Sequence, residues 1–432
     1  MRNVSRECPA VKLAGATIRI ISGALIWALA CVPGAQAQGL DQLGAGGAIG
    51  NSPISEDQPR AISPIGGSAV LNLLGNLIAP GETRTLHWSA GQTFIGTALQ
   101  TPVVVVHGVL PGPTLCLTAG THGDELNGIE VVRRVLSETE PQDLAGTLIG
   151  VPIVNLAGFS RGDRYLPDRR DLNRFFPGRP NGSSASRIAH SFFAEVVRHC
   201  DALVDFHTGS FERSNLPQVR GDLRMPAVLE MTRGFGATSV LHSPGAPGML
   251  RRACTDVGIP AVTFELGAPT RLQPEEIDHG VHAMQTLLYK LGIARRARLW
   301  REPQPVFYDS KWIRAGAGGL FFSNVSLGDE VRAGQRLGRV IDPISNQSLE
   351  IVSPVRGKVL GMALNQVVMP GFAAFHVGVA TSEKQAVEEA ASGREHSPED
   401  LTELERVDES EPESEPQPRA KDEAEAENDG EE

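Results

Sequence analysis

Five short apolar runs constrain what this chain can fold into more than any other feature: Thr101 to Val106, Thr114 to Ala119, Leu148 to Val154, Ala202 to Phe206 and Ala261 to Phe264. They have strand length, are rich in β-branched residues and show no polar alternation, which is the pattern of strands covered on both faces. Segments with helical spacing lie between them. Ile129 to Leu136 is one; Ser186 to Arg198 is another, with Ile188, Ala189, Phe192, Phe193, Val196 and Val197 on a single face. Strands and helices alternating in this way require an α/β sheet with helices on both faces. In such a sheet ligands collect at the carboxyl ends of the strands, so those ends are where chemistry is to be sought.

Three of the runs end in residues able to bind metal or move protons. After Ala119 comes Gly120-Thr121-His122-Gly123-Asp124-Glu125-Leu126-Asn127-Gly128, a glycine-punctuated turn into a helix. An imidazole and a carboxylate three residues apart can converge from such a turn, and both are zinc ligands. By itself H-x-x-E also fits a solvated helix start. The second run, however, ends in Asp205-Phe206-His207-Thr208-Gly209, which sets His207 at the same sheet edge. Two histidines and one carboxylate leave a fourth position open, the arrangement of a catalytic rather than a structural zinc. The third run ends in Thr263-Phe264-Glu265-Leu266-Gly267. A carboxylate there is costly unless paired or employed, and Glu265 is read as the general base; a carboxylate capping the next turn is the alternative. Arg169-Arg170-Asp171-Leu172-Asn173-Arg174-Phe175-Phe176-Pro177-Gly178, with Arg164-Tyr165 upstream, supplies the fourth element. Arg174 has the planar fork suited to a carboxylate, with Asn173 beside it. A substrate with a free carboxylate follows, while Arg169 and Arg170 are read as solvated.

Taken in order, G-T-H-G-D-E-L-N-G, R-D-L-N-R-F-F-P-G, D-F-H-T-G and T-F-E-L-G resemble the motif set of the succinylglutamate desuccinylase and aspartoacylase family, a relative of the zinc carboxypeptidases. The resemblance spans roughly Thr114 to Gly267. It implies a zinc-carboxypeptidase-like mixed sheet flanked by helices, and one zinc ion per chain held by His122, Glu125 and His207. It further implies Glu265 as the catalytic glutamate, Asn173 and Arg174 as the carboxylate-binding pair, and Arg164 as the arginine that polarises the scissile carbonyl. Asp171 resembles a residue that orients the arginines, and Asp205 one that steadies His207. Further on, Gly328 to Gln335 and Ser353 to Val359 resemble turns of a barrel-sandwich hybrid. The turn between them, Asp342-Pro343-Ile344-Ser345-Asn346-Gln347, carries no lysine for modification. A small β domain that walls or gates the site is therefore expected.

The domain layout is thus a catalytic domain over residues 71–298 and a β domain over 299–382, with further segments before and after them. Arg2, Arg6, Lys12 and Arg19 precede the apolar run Ile20 to Val32, and Ala35-Gln36-Ala37 follows: a secretory signal over 1–37, cleaved near Ala37, with export to the periplasm or beyond. No later stretch is long enough to span a bilayer. Residues 38–70 read as a flexible leader. Residues 383–432 hold twenty acidic and five basic residues and read as a disordered tail. The tail outweighs the whole net charge of −11, so the folded part is near neutral, which argues against nucleic-acid binding. Of five cysteines, Cys8 and Cys31 leave with the signal, and Cys116, Cys200 and Cys254 are isolated; buried free thiols are expected. His190, His199, His242, His279 and His282 are read as packing or surface residues. The leading reading is an exported zinc deacylase cleaving the amide bond of an N-acyl amino acid. A carboxypeptidase-like peptidase and a non-catalytic zinc-binding interaction protein are the alternatives.

Overall fold

The computed structural model describes residues 68–94, 97–210, 212–295, 300 and 304–379. The expected signal segment, nearly all of the leader and the acidic tail lie outside these described residues. In chain order the principal strands are β1 (Glu82–Phe94), β2 (Thr97–His107), β3 (Leu110–Thr118), β4 (Ala145–Val151), β5 (Ala202–His207), β6 (Arg213–Gly221), β7 (Ala261–Gly267), β8 (Asp309–Arg314), β9 (Gly357–Ala363) and β10 (Ala373–Val379). They form one sheet in the order β8-β10-β9-β6-β7-β5-β3-β4-β2-β1. Its centre is parallel, β4 beside β3, β3 beside β5 and β5 beside β7. Both flanks are antiparallel, through β2 on β4 and β6 on β7. All five apolar runs are strands, and the parallel ones occupy the middle, where both faces are covered.

Helices α1 (Asn127–Ser137), α2 (Ser184–Glu195), α3 (Leu250–Asp256) and α4 (Pro274–Lys290) divide between the faces. Val131, Val135, Ile277 and Met284 of α1 and α4 pack on Leu115, Leu117, Phe206 and Phe264. On the other face Ala189 and Phe192 of α2 and Leu250 of α3 pack on Cys116, Ile149 and Leu203. The alternation of Leu115, Cys116 and Leu117 between the two cores follows from the two-residue repeat of a strand. Truncating a side chain as buried as Phe192 costs about 3–5 kcal/mol. The apolar stripe read as one helix to Arg198 is broken: α2 stops at Glu195 and a 3-10 turn, Val197–His199, finishes it.

One expectation is overturned. Cys116 and Cys200 are joined in a disulfide across 84 residues, with Cα atoms 5.7 Å apart, whereas Cys254 is a buried free thiol as expected. Cys116 lies within β3 and Cys200 just ahead of β5, and β3 and β5 are neighbours in register, Cys116 opposite Leu203. The sheet thus brings together two residues that nothing in the linear spacing connects.

The C-terminal strands extend the main sheet. β9 pairs antiparallel with β6, Gly361 opposite Asn215 and Ala363 opposite Arg213. A second, four-stranded sheet of Ser348–Val352, Arg336–Ile341, Gly319–Ser323 and Val367–Val368 faces this extension. Phe321, Leu337, Val340, Ile351, Val359 and Phe375 fill the space between the two layers.

Candidate active site

At the carboxyl end of β3 the chain must reverse tightly before α1 begins. Gly120 takes φ +59° there, with the Ile153 Cα against the position a Cβ would occupy, so only glycine fits. The turn delivers His122 and Glu125 to the sheet edge. His207 ends β5, and Glu265 lies directly opposite it on β7. Asn127, from the same motif as His122, donates to the Leu266 carbonyl at 2.9 Å and so ties the α1 start to the end of β7.

His122 Nδ1 lies 2.9 Å from Glu125 Oε1, His207 Nδ1 lies 3.0 Å from Glu125 Oε2, and the two Nδ1 atoms are 3.2 Å apart. Each ring uses its remaining nitrogen on another buried carboxylate: His122 Nε2 meets Asp171 at 2.9 Å and His207 Nε2 meets Asp205 at 2.7 Å. Thr118 Oγ1 donates to Asp205 at 2.7 Å and holds it in turn. Glu125 also accepts from Arg164 Nη1 at 2.7 Å and from the Thr208 backbone N–H at 3.0 Å. Burial alone would raise the Glu125 carboxyl, yet the His122 and His207 imidazoles hold it well below the usual carboxylate range. Burial likewise opposes charge on His207, but Asp205 and Glu125 lift it well above the usual imidazole value. His122 rises as well: burial and Arg164 oppose its protonation, and Glu125 and Asp171 outweigh them.

These donors suit a divalent cation. His122, Glu125 and His207 offer ligand atoms within 4.8 Å of one another, and all three are buried. Two nitrogens about 2.0–2.1 Å from a tetrahedral ion such as zinc stand about 3.3 Å apart, close to the 3.2 Å found. Carboxylates on the outer ring nitrogens fix each imidazole with Nδ1 inward, the support that metal-binding histidines receive.

The loop that carries Arg164 and Asn173 folds over this cluster. Arg164 Nη2 donates to Asp171 at 3.2 Å, and Asp171 also accepts from the Asn173 N–H at 2.9 Å. Asn173 Oδ1 accepts from the Leu250 N–H at the start of α3, at 2.8 Å, and Arg174 Nη1 donates to the Asn173 carbonyl at 2.9 Å. Asp171 thus orients Arg164 and steadies His122 at once.

His122, Glu125, Arg164, Asn173, Arg174, His207 and Glu265 all line one cleft. Residues not singled out in the sequence line it too, among them Arg213, Asn215 and Arg220 of β6 and Trp312 of β8. Asn215 Nδ2 donates to Glu265 Oε2 at 2.9 Å, and Arg220 Nη1 lies 3.2 Å from Glu265 Oε1. Pairing of β6 with β7 advances three residues on β6 for two on β7, from Gln218–Glu265 to Asn215–Gly267. Such a bulge resets the in–out alternation, so residues 213, 215, 218 and 220 face one way. Pro217 within the bulge was the sequence signal for it, because proline in a sheet is confined to edges and bulges. His242 does not line the cleft; its Nδ1 accepts from the Leu223 N–H at 3.1 Å.

Comparison with known proteins agrees with this geometry. A family model of the succinylglutamate desuccinylase/aspartoacylase catalytic domain matches residues 111–291. The N-alpha-acetyl-L-2,4-diaminobutyric acid deacetylase of Halomonas elongata is 31% identical over 258 residues, 57% of this chain and 75% of its own length. A succinylglutamate desuccinylase of Pseudomonas aeruginosa is 31% identical over 176 residues, 36% of this chain and 51% of its own. Among solved structures, the product-bound ectoine utilization protein EutE (DoeB) of Ruegeria pomeroyi superposes with TM-score 0.64 at 25% identity, over 70% of this chain and 97% of that one. With the ordered motifs gathered in one cleft and a deacetylase relative matched over three-quarters of its length, the chain belongs to the succinylglutamate desuccinylase/aspartoacylase family, whose members are hydrolases that remove acyl groups from N-acyl amino acids.

Proposed function

We propose that this protein is an exported zinc-dependent deacylase that hydrolyses the amide bond of an N-acyl amino acid, or of a similar substrate with a free carboxylate. The observation that carries this reading is that His122, Glu125 and His207 converge at one sheet edge with Glu265 in register beside His207. His122, Glu125 and His207 would hold one zinc ion per chain. Bound there, the ion supplies Lewis acidity, acidifying a water to a pKa of about 7 and polarising an acyl oxygen. Glu265, fixed by Asn215 and Arg220, accepts the proton from the attacking water and passes it to the leaving nitrogen as the C–N bond breaks. Arg164, held by Glu125 and Asp171, would polarise the acyl oxygen. Asn173 and Arg174 hold the substrate carboxylate.

The printed names of the relatives, a deacetylase and a desuccinylase, favour this reading over a peptidase. Export is supported by the signal-like N-terminus and by the Cys116–Cys200 disulfide, a bond that persists in oxidising compartments. The domain boundaries at 71–298 and 299–382 belong to the same proposal. Glu265→Gln tests the reaction: hydrolysis of N-acyl amino acids falls about 10²–10⁴-fold while elemental analysis still finds one zinc per chain. Retained hydrolysis in that variant removes the base; release of C-terminal residues from peptides by the wild type, with N-acyl amino acids untouched, restores the peptidase.

A further inference from the structure

Residues 243–249 form a loop without a charged side chain, Ser-Pro-Gly-Ala-Pro-Gly-Met, and its last residue, Met249, lines the cleft. The loop is fastened to the carboxylate-binding pair on both sides of Met249. Before it, the Gly248 carbonyl accepts from the Phe176 N–H at 2.9 Å, and a Cβ on Gly248 would strike the Arg174 carbonyl. After it, the Leu250 N–H donates to Asn173 Oδ1 at 2.8 Å. Met249 is thereby set beside Asn173 and Arg174. Its own N–H donates to the Ala246 carbonyl at 3.2 Å, while the Ala246 N–H points back at the Met249 sulfur, 3.3 Å away. Beneath the loop the buried Arg251 donates to the Ser243 carbonyl. The thioether therefore stands on a braced support.

The charged groups near this corner are already engaged. Among the described residues the carboxylates lining the cleft are Glu125 and Glu265, one placed to bind a metal and the other to take a proton. Asp171 and Asp205, behind them, are bonded to His122 and His207. No carboxylate on this wall is left to receive an ammonium group. Arg164 is held by Glu125 and Asp171, and Arg174 lies beside Asp171 with Nη1 on the Asn173 carbonyl. Both arginines would repel a cation brought close to them. Burying an unpaired charge against a thioether is costly, whereas burying an alkyl group there is favourable. In an amino acid the side chain and the carboxylate leave the same carbon. A carboxylate held at Asn173–Arg174 accordingly brings the side chain within reach of Met249.

We propose that Met249 forms the subsite for the amino-acid side chain and selects N-acyl derivatives of amino acids with an uncharged, apolar side chain over those with an ammonium group. This rests on the deacylase reading of the cleft.

The test offers the zinc-loaded full protein the N-acetyl derivatives of L-norvaline, L-2,4-diaminobutyrate and glycine. The first two side chains have equal length and differ in a terminal methyl against an amine that is ionised at pH 7. Wild type hydrolyses the norvaline compound with a kcat/KM about tenfold or more above that for diaminobutyrate, chiefly through KM. Met249→Glu moves that ratio about 10–100-fold toward diaminobutyrate, the value of one charge-assisted hydrogen bond, a gain that a merely structural role for Met249 would not give. A wild-type preference for diaminobutyrate, or a ratio unmoved in Met249→Glu, overturns the subsite and leaves the deacylase standing. If Met249→Glu cleaves none of the three, Met249→Gln decides: a norvaline-to-glycine ratio lowered about 3–10-fold upholds the subsite, and an unchanged ratio overturns it. If wild type cleaves none, the deacylase reading fails, and calorimetric binding of the same compounds decides: tighter norvaline binding lost in Met249→Gln upholds the subsite, and equal binding overturns it.

Discussion

His122 and His207 direct the same ring nitrogen, Nδ1, toward a shared point and bond a carboxylate through the other. That choice governs the pH response of the protein stripped of metal. His207 is held well above its ordinary 6.5, so its stabilising contribution is complete below about pH 6.5 and is lost as pH rises through the folded value. Glu125 and Asp171 are held below their ordinary 4.5 and 3.8, burial opposing and the adjacent imidazoles and Arg164 prevailing. Their contribution is present above those values and lost as pH falls. The stripped protein should therefore be most stable between about pH 4.5 and 6.5, with Tm declining toward pH 9. A metal ion held at His122, Glu125 and His207 would take the place of protons on the imidazoles, so its binding would strengthen as pH rises. The Tm gap between loaded and stripped protein should widen from pH 6 to 9 in scanning calorimetry. A gap that narrows would show that these imidazoles do not exchange protons for the ion.

At the scale of elements, the sequence exposed what repeats and hid what depends on neighbours. The five covered strands and the ends that carry His122, His207 and Glu265 were legible because each strand is predominantly apolar and each end breaks that pattern with a histidine or carboxylate. β6 was not, because the bulge near Pro217 interrupts its alternation and puts Arg213, Asn215 and Arg220 on one face with no period to announce them. Asn215 shows what this concealed, since it orients the proposed base. Replacing Asn215 with Ala should lower kcat roughly 10–100-fold, the range for a misplaced catalytic group, with zinc content unchanged; steady-state kinetics beside elemental analysis measures both. The disulfide was hidden for a similar reason, its partners meeting only once β3 and β5 are paired. Because it closes an 84-residue separation, replacing both Cys116 and Cys200 with Ser should cost about 3–5 kcal/mol in urea unfolding. A loss below about 1 kcal/mol would mean that the packed sheet already holds those strands without it.

Over the whole molecule, the barrel-sandwich resemblance identified a second β layer but not the way it joins the first. β9 hydrogen-bonds along β6, Gly361 opposite Asn215, and a Cβ at Gly361 would press on Asn215 Oδ1. The residue that orients Glu265 therefore sits at the seam, and so does Arg213. Removing residues 304–379 would bare the Arg213–Asn215 part of the β6 edge, the rest of which stays paired with Ser239–His242, and would uncover Leu241, which packs with Phe307 and Leu360. It would also take Trp312 and Phe372 from Arg213. An unpaired strand edge beside exposed apolar surface favours association over folding. The shortened chain, residues 38–303, should accordingly elute as aggregate in size-exclusion chromatography and be cut rapidly by protease, while the chain lacking only residues 383–432 remains monodisperse and active. A monodisperse, zinc-binding 38–303 fragment would show instead that the catalytic strands complete their own fold, with the β layer acting on substrate alone.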